Sequence, residues 1–174
     1  MQSTEPQNAQ DLIGRAYALG YENEQKYGCC PQCVLAAIQD VMSVVDDATF
    51  KASHGLAAGG GLSTRGTCGA LAGGMLALSA KYGRDRANFG KGRFLESYEL
   101  AKRLNDRFVA EFGSPICGDV QTKLIGRPYN LWDPKDLKAF NEAGGHRDKC
   151  PKVVGTVAAW TTEMLLEAAK EVHE

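Results

Sequence analysis

The chain has 174 residues, a formal net charge of −1 and a hydrophobic fraction of 44%. This length favours one domain with a buried core, and the near-neutral charge excludes the basic bias of a nucleic-acid-binding protein. No apolar run reaches the roughly 18 residues of a membrane span, and the polar residues 1–10 do not form a secretory signal. We therefore expect one cytoplasmic domain over residues 1–174, with residues 1–8 as a flexible tail.

Apolar residues recur at the three- and four-residue spacing of amphipathic helices along most of the chain. With the capping, proline and glycine signals, this spacing predicts helices at Asn8–Tyr27, Pro31–Val45, Asp46–Asp47 to about Ala58, Cys68 to about Tyr82, Phe94–Phe112, Cys117–Ile125 and about twenty residues from Cys150. The irregular stretch Arg127–Asp148 has room for one more helical piece near Pro134–Ala143. No β alternation persists, so we predict an all-α, single-domain bundle of about six or seven helices.

The six cysteines are too sparse for a secreted disulfide scaffold and more than a core requires. In a reducing compartment, such cysteines are typical of metal ligands or redox thiols. Four of them fall at or beside the start of a predicted helix: Cys30, Cys68, Cys117 and Cys150. Helix N-termini offer free N–H groups and partial positive charge, which lower the pKa of a thiol and favour the thiolate. If the four helix starts converge, four thiolates surround one space.

The segment around Cys68 is rich in glycine, with Gly59–Gly61 before it and Gly69, Gly73 and Gly74 after it. Glycine costs roughly 1 kcal/mol against alanine inside a helix, and it is tolerated where a second helix or a buried ligand comes close. We therefore expect Gly69 to belong to the cofactor site, and the glycine run to bring backbone amides towards it. The run is not a phosphate-binding loop, because the Lys-Ser/Thr pair that completes one is missing.

Several segments resemble one known family over most of Gly28–Val172. They are Cys30–Leu35, the glycine run ahead of Thr67–Gly73, Phe112–Ser114 leading to Cys117, and Lys149–Pro151. Together they resemble the family of redox-active proteins named for the cysteine signature C_GCAxxG_C_C. The resemblance implies a helical fold with Cys30, Cys68, Cys117 and Cys150 as the family cysteines. A related module in a multihaem cytochrome implies an iron–sulfur cluster.

Two cysteines depart from that family pattern. Cys29 replaces an asparagine before the first family cysteine, and Cys33 stands where a small residue is usual. They are interpreted as additional ligands or as resolving thiols.

Three functional hypotheses follow from the cysteines. The first is an iron–sulfur cluster of the two- or four-iron type, because four thiolates are its usual ligands, in electron transfer or a redox-accessory role. The second is a thiol–disulfide oxidoreductase in which Cys30 attacks and Cys33 or Cys68 resolves. The third is an interaction module with a structural Cys₄ zinc site.

Histidine and tryptophan residues near the cysteines add smaller expectations. His146, four residues before Cys150, is a candidate ligand or hydrogen-bond donor to the centre, whereas His54 is interpreted as a surface or core imidazole. Trp132 and Trp160 are expected to fill the core.

Two patterns bear on binding partners. The stretch Lys81–Arg107 contains eight Lys/Arg and four Asp/Glu, which favours docking of an acidic electron-transfer protein. The apolar stripe of the last helix is compatible with a homodimer, although the same stripe would serve a monomer's core. No nucleic-acid partner is expected.

Overall fold

The structure is a computed structural model that describes residues 8–171. These residues form eight α-helices: α1 (Ala9–Tyr27), α2 (Cys30–Met42), α3 (Asp47–Ala52), α4 (Gly69–Tyr82), α5 (Leu95–Phe112), α6 (Cys117–Ile125), α7 (Pro134–Glu142) and α8 (Cys150–Glu171). Short 3₁₀ turns lie at Ser53–Leu56 and Arg86–Asn88, and a π-helical turn at Gly145–Lys149 runs into α8. The expected tail lies outside the described residues apart from Asn8, whose side chain caps α1.

The all-α prediction is confirmed, and the ends of two predicted helices are corrected. The third predicted helix is shorter than expected, because α3 ends at Ala52 and continues only as the 3₁₀ turn Ser53–Leu56. The helical piece expected near Pro134–Ala143 is confirmed as α7, and Asp133 caps it by accepting hydrogen bonds from two amides of its first turn. With this piece, the described residues contain eight helices, where about six or seven were expected. Finally, α2 ends at Met42, not Val45, because Ser43 adopts a left-handed conformation.

Helix α8 is the centre of the bundle and packs against α1, α2, α4 and α5. Its contact with α1 is close because small residues face each other there. A Cβ on Gly20 would lie 3.2 Å from Ala158 Cβ, and one on Gly155 would lie 2.8 Å from the carbonyl oxygen of Tyr17. The apolar stripe of α8, including Val154 and Val157, is buried within the single chain. That stripe therefore serves the core of the single chain, the alternative to the possible homodimer.

The two tryptophans lie in different surroundings. Trp160 is partly buried, with its ring 6.2 Å from that of Phe112, as expected of a core residue. The prediction for Trp132 is wrong, because this residue is 72% exposed. Its indole N–H donates to the carbonyl oxygen of Gly61 at 2.9 Å, so the ring lies on the surface beside the glycine run Gly59–Gly61.

None of the helices in residues 8–171 combines the length and the apolar character that a membrane span requires.

A methyl group at the α1–α8 crossing is expected to destabilise the fold. In Gly155→Ala the new Cβ meets backbone, which cannot rotate away, so α1 and α8 must separate. We expect a net loss of at least about 1 kcal/mol in the free energy of unfolding, measured by urea denaturation. The control is Gly14→Ala, which places its methyl group in open space on α1 and should stabilise by up to about 1 kcal/mol. Equal stabilisation of both variants would contradict the close crossing.

Candidate functional site

Four cysteines from four different helices line one cavity of about 40 Å³: Cys30, Cys68, Cys117 and Cys150. Cys68 and Cys117 are buried, whereas Cys30 and Cys150 are partly buried. The rest of the wall is mainly apolar. It includes Val153 and Val154, and the residues that flank the glycine run Gly59–Gly61: Ala57, Ala58 and Leu62. Among the described residues that line the cavity, none is Lys or Arg.

Cys68 and Cys117 are brought together by paired backbone segments. An isolated antiparallel bridge joins Thr67 to Ile116. Beside it, the Cys68 N–H donates to Pro115 O at 2.7 Å and the Cys117 N–H donates to Gly66 O at 2.9 Å. These hydrogen bonds align the starts of α4 and α6, so the two sulfurs face the same cavity.

Cys30 reaches the cavity because α2 and α4 touch at glycines. A Cβ on Gly73 would lie 2.8 Å from Pro31 O, and one on Gly69 would lie 2.5 Å from the sulfur of Cys30. The Ala58 amide, next to the glycine run, donates to the same sulfur and lowers its pKa. The glycines of α4 therefore serve close approach, as their positions predicted, and Gly69 serves the Cys30 sulfur directly.

Cys150 is the exception among the predicted helix starts. The π-helical turn Gly145–Lys149 leads into α8 without a break, and the N–H of Cys150 donates to Gly145 O. Its amide is thus already used, whereas Cys30 and Cys117 are the first residues of their helices and Cys68 is an N-cap. The predicted start of the last helix at Cys150 is confirmed, but the free amide expected there is not present.

The expectation that helix termini leave these cysteines as thiolates is also wrong. Burial raises the pKa of Cys68 to about 11 and that of Cys117 to about 12. The pKa values of Cys30 and Cys150 are raised well above the ordinary range, again mainly by burial. The amides of Ala70 and Leu71 lower the pKa of Cys68, but the loss of water outweighs them. The cysteines of the metal-free protein are therefore protonated thiols at neutral pH.

Glu24 is a functional candidate that the sequence analysis missed. Its carboxyl group is 1% exposed, lines the same cavity, and has no hydrogen-bond partner at Oε2. Burial raises the pKa of Glu24 to about 7, and its negative charge raises the pKa of all six cysteines. In the sequence, the signal that could have identified Glu24 is its spacing of four residues from Gly20 and eight from Ala16, which places it on the same face of α1.

His146 lies at the cavity wall as a neutral ring. Asn141 Oδ1 lies 3.1 Å from its Nδ1, and burial lowers the pKa of the imidazole. With the proton on Nδ1, the lone pair remains on Nε2, the arrangement usual for metal-binding histidines. This nitrogen lies beside Gly28, another lining residue, since a Cβ there would be 3.3 Å from it.

The extra cysteines open on a different pocket. Cys29 and Cys33 line a space of about 290 Å³ that shares no described lining residue with the four-cysteine cavity. The structure therefore does not bring Cys30 and Cys33 to a common pocket. Within the described residues, no three His, Cys, Asp or Glu side chains are arranged to hold a single metal ion.

A family model described as "Putative redox-active protein (C_GCAxxG_C_C)" matches residues 28–164. No curated protein and no solved structure gives a significant match to the chain.

Adding a methyl group at Gly69 is expected to displace the Cys30 sulfur. In metal-free Gly69→Ala, alkylation of Cys30 by iodoacetamide should be several-fold faster than in the wild type, measured by peptide mass spectrometry on folded protein. Gly55→Ala is the control, because its methyl group meets no atom within 4 Å and should leave the rate unchanged. An unchanged rate in Gly69→Ala would contradict the close approach.

Glu24 is expected to make stability depend on pH. Because its pKa is raised in the folded state, its contribution is fully present below the unfolded value of 4.5 and is lost as pH rises through about 7. The free energy of unfolding of metal-free wild type should thus fall relative to Glu24→Gln by about 3 kcal/mol across this window. Urea denaturation at several pH values measures it, with Glu22→Gln, an exposed neighbour, as control. Parallel wild-type and Glu24→Gln profiles would refute this account of Glu24.

Proposed function

Since the chain belongs to the C_GCAxxG_C_C family of redox-active proteins, we propose that it binds an iron–sulfur cluster and transfers electrons. The ligands are the thiolates of Cys30, Cys68, Cys117 and Cys150. The observation that carries the proposal is the one cavity that these four side chains line. Four soft sulfur donors are the set that selects iron–sulfur clusters, zinc or copper(I).

The size of the cavity supports a cluster over a single zinc ion. In a closed zinc site, four sulfurs lie about 2.3 Å from one atom and leave no space between them. Here the cysteines surround about 40 Å³, whereas one water molecule needs only roughly 10–15 Å³. The space therefore suits a group of several atoms, which the four sulfurs could hold.

The surrounding residues supply what thiolate ligands need. When bound, the cluster supplies one-electron chemistry and the positive charge that displaces the thiol protons. The amides of Ala58, Ala70 and Leu71 hydrogen-bond to sulfur, and hydrogen bonds to the sulfurs are one means by which proteins set cluster potentials. Val153 and Val154 make one part of the wall apolar. Nε2 of His146 is held at the wall as a further ligand or hydrogen-bonding group.

An acidic electron-transfer protein is the proposed partner, and the reducing cytoplasm the proposed compartment. The basic stretch Lys81–Arg107 is only partly available for docking, because Arg103 and Arg107 pair with Glu167 and Glu163. The remaining basic residues, which lie in the loop after α4, are at the end of that helix opposite Cys68: Arg84, Arg86, Lys91 and Arg93. The 14 residues of α4 separate this loop from Cys68 by about 20 Å.

Purification without air, followed by metal analysis, tests the proposal. We expect brown protein with visible absorbance and stoichiometric iron and acid-labile sulfide. Serine in place of any one of Cys30, Cys68, Cys117 or Cys150 should lower the iron content at least several-fold, because a thiolate ligand is lost. Cys29→Ser is the matched control for Cys30→Ser and should keep its iron.

Two results would replace the cluster with another function. Colourless protein containing one zinc per chain would indicate the structural zinc module. Colourless, metal-free protein with two rapidly reacting thiols at Cys30 and Cys33 would indicate the oxidoreductase that uses this pair.

A further inference from the structure

A second group of reactive side chains lies on the other side of α2. Cys29 and Cys33 line a pocket of about 290 Å³, walled by Tyr27 and Phe50. This volume is near the lower end of the ~300–1,000 Å³ typical of small-molecule sites. The pocket is separate from the four-cysteine cavity, so its chemistry does not require that cavity to be filled.

Cys29 has the position of an attacking thiol. It is the N-cap of α2, partly buried, with a non-helical backbone at φ −118° and ψ 84°. Its sulfur lies 3.7 Å from His54 Nδ1, and the same nitrogen lies 3.2 Å from Gln32 Oε1. Gln32 Nε2 donates to Phe50 O at 3.2 Å, which leaves Gln32 Oε1 to accept from His54 Nδ1. The Nδ1–H of His54 therefore lies beside the Cys29 sulfur and can stabilise its thiolate. His54 is exposed, in agreement with the surface position expected of it.

Cys33 has the position of a resolving thiol. It is 2% exposed and lies one helical turn after Cys29, whose carbonyl oxygen accepts the hydrogen bond of its N–H at 2.9 Å. Its sulfur is hydrogen-bonded to the buried carboxyl group of Glu24. Oε2 of that carboxyl group has no partner, which leaves it able to accept a proton.

We propose that Cys29 and Cys33 form a second redox site, a dithiol that reduces low-molecular-weight disulfides by thiol–disulfide exchange. The Nδ1–H of His54 stabilises the thiolate of the attacking Cys29, whose proton passes to solvent, and Glu24 accepts the proton of the resolving Cys33.

The reaction has two balanced steps. In the first, the Cys29 sulfur attacks a disulfide RS–SR. A bond forms between Cys29 and one RS group, the substrate S–S bond breaks, and the other group leaves as a thiolate, which takes up from solvent a proton equal to the one that Cys29 released. In the second, the Cys33 sulfur attacks Cys29, a Cys29–Cys33 disulfide forms, and the second group leaves as RSH with the proton from Glu24. Two electrons pass to the substrate, and an external dithiol restores the pair by reverse exchange.

Closure of the disulfide requires a small movement. Side chains one turn apart on a helix have Cβ atoms about 5–6 Å apart, whereas a disulfide needs roughly 3.5–4.5 Å. Cys29 can supply the movement, because as an N-cap it lies outside the regular helix. Cys33 is fixed in the core.

The test uses full-length protein purified without air, reduced with dithiothreitol and desalted. It is then mixed with bis(2-hydroxyethyl) disulfide, quenched in acid and mapped by mass spectrometry. Wild type should lose two thiols per chain and contain a Cys29–Cys33 disulfide. Cys33→Ser should stop at a mixed disulfide on Cys29, and Cys29→Ser should not react. A disulfide between Cys30 and Cys33, or no consumption of the reagent, would overturn the proposal.

His54 and Glu24, which assist the two thiols, have separate signatures. Glu24→Gln should accumulate the mixed disulfide on Cys29, with the second step at least tenfold slower, whereas the exposed control Glu22→Gln should match wild type. His54→Ala should slow the first step at least tenfold, against Lys51→Ala as an exposed control on the preceding turn. Wild-type kinetics in both test variants would overturn the assigned roles. The iron content of the same samples is measured separately, because it tests the cluster proposal and does not depend on the reaction of Cys29 and Cys33.

Discussion

Close approach of polypeptide backbones is the constraint on which the rest of this structure depends. Residues 64–68 pair with residues 115–118 through backbone hydrogen bonds, and α2 touches α4 where Gly69 and Gly73 leave no room for a side chain. These two contacts gather three cysteines that are far apart in the sequence, and the π turn before α8 adds Cys150. The cavity is thus a product of backbone geometry.

Helix α2 separates two kinds of sulfur chemistry. Cys30 faces the inner cavity, whereas Cys29 and Cys33 face the outer pocket. Glu24 is common to both sites, because it lines the cavity and hydrogen-bonds to Cys33. A buried carboxyl group among thiols favours their protonated forms, so the metal-free protein holds its protons at both sites. In the two proposals, the cavity thiols would have to lose their protons to hold a cluster, whereas in the pocket His54 stabilises the Cys29 thiolate and Glu24 accepts the proton of Cys33.

Local signals explain why so much of the fold was predictable. Asp133 with Pro134, and Asn8 before α1, are capping patterns that act within a few residues. The cysteines were readable because they lie beside local signals of the same kind, such as Pro31 after Cys30 and Thr67 before Cys68. The raised pKa values were not readable, because a helix terminus acts locally whereas burial depends on the packing of distant elements. For the same reason Glu24 passed unnoticed, since its burial depends on how α1 packs against the rest of the bundle. The turn before Cys150 was missed because it depends on Gly145 packing closely against the Phe140 ring.

The most direct measurement is the anomalous scattering of iron from crystals grown without air. The account predicts an iron signal inside the cavity, with the sulfurs of Cys30, Cys68, Cys117 and Cys150 at bonding distance from it. An iron signal elsewhere, or disulfide bonds joining these four cysteines in protein that was never exposed to air, would contradict it.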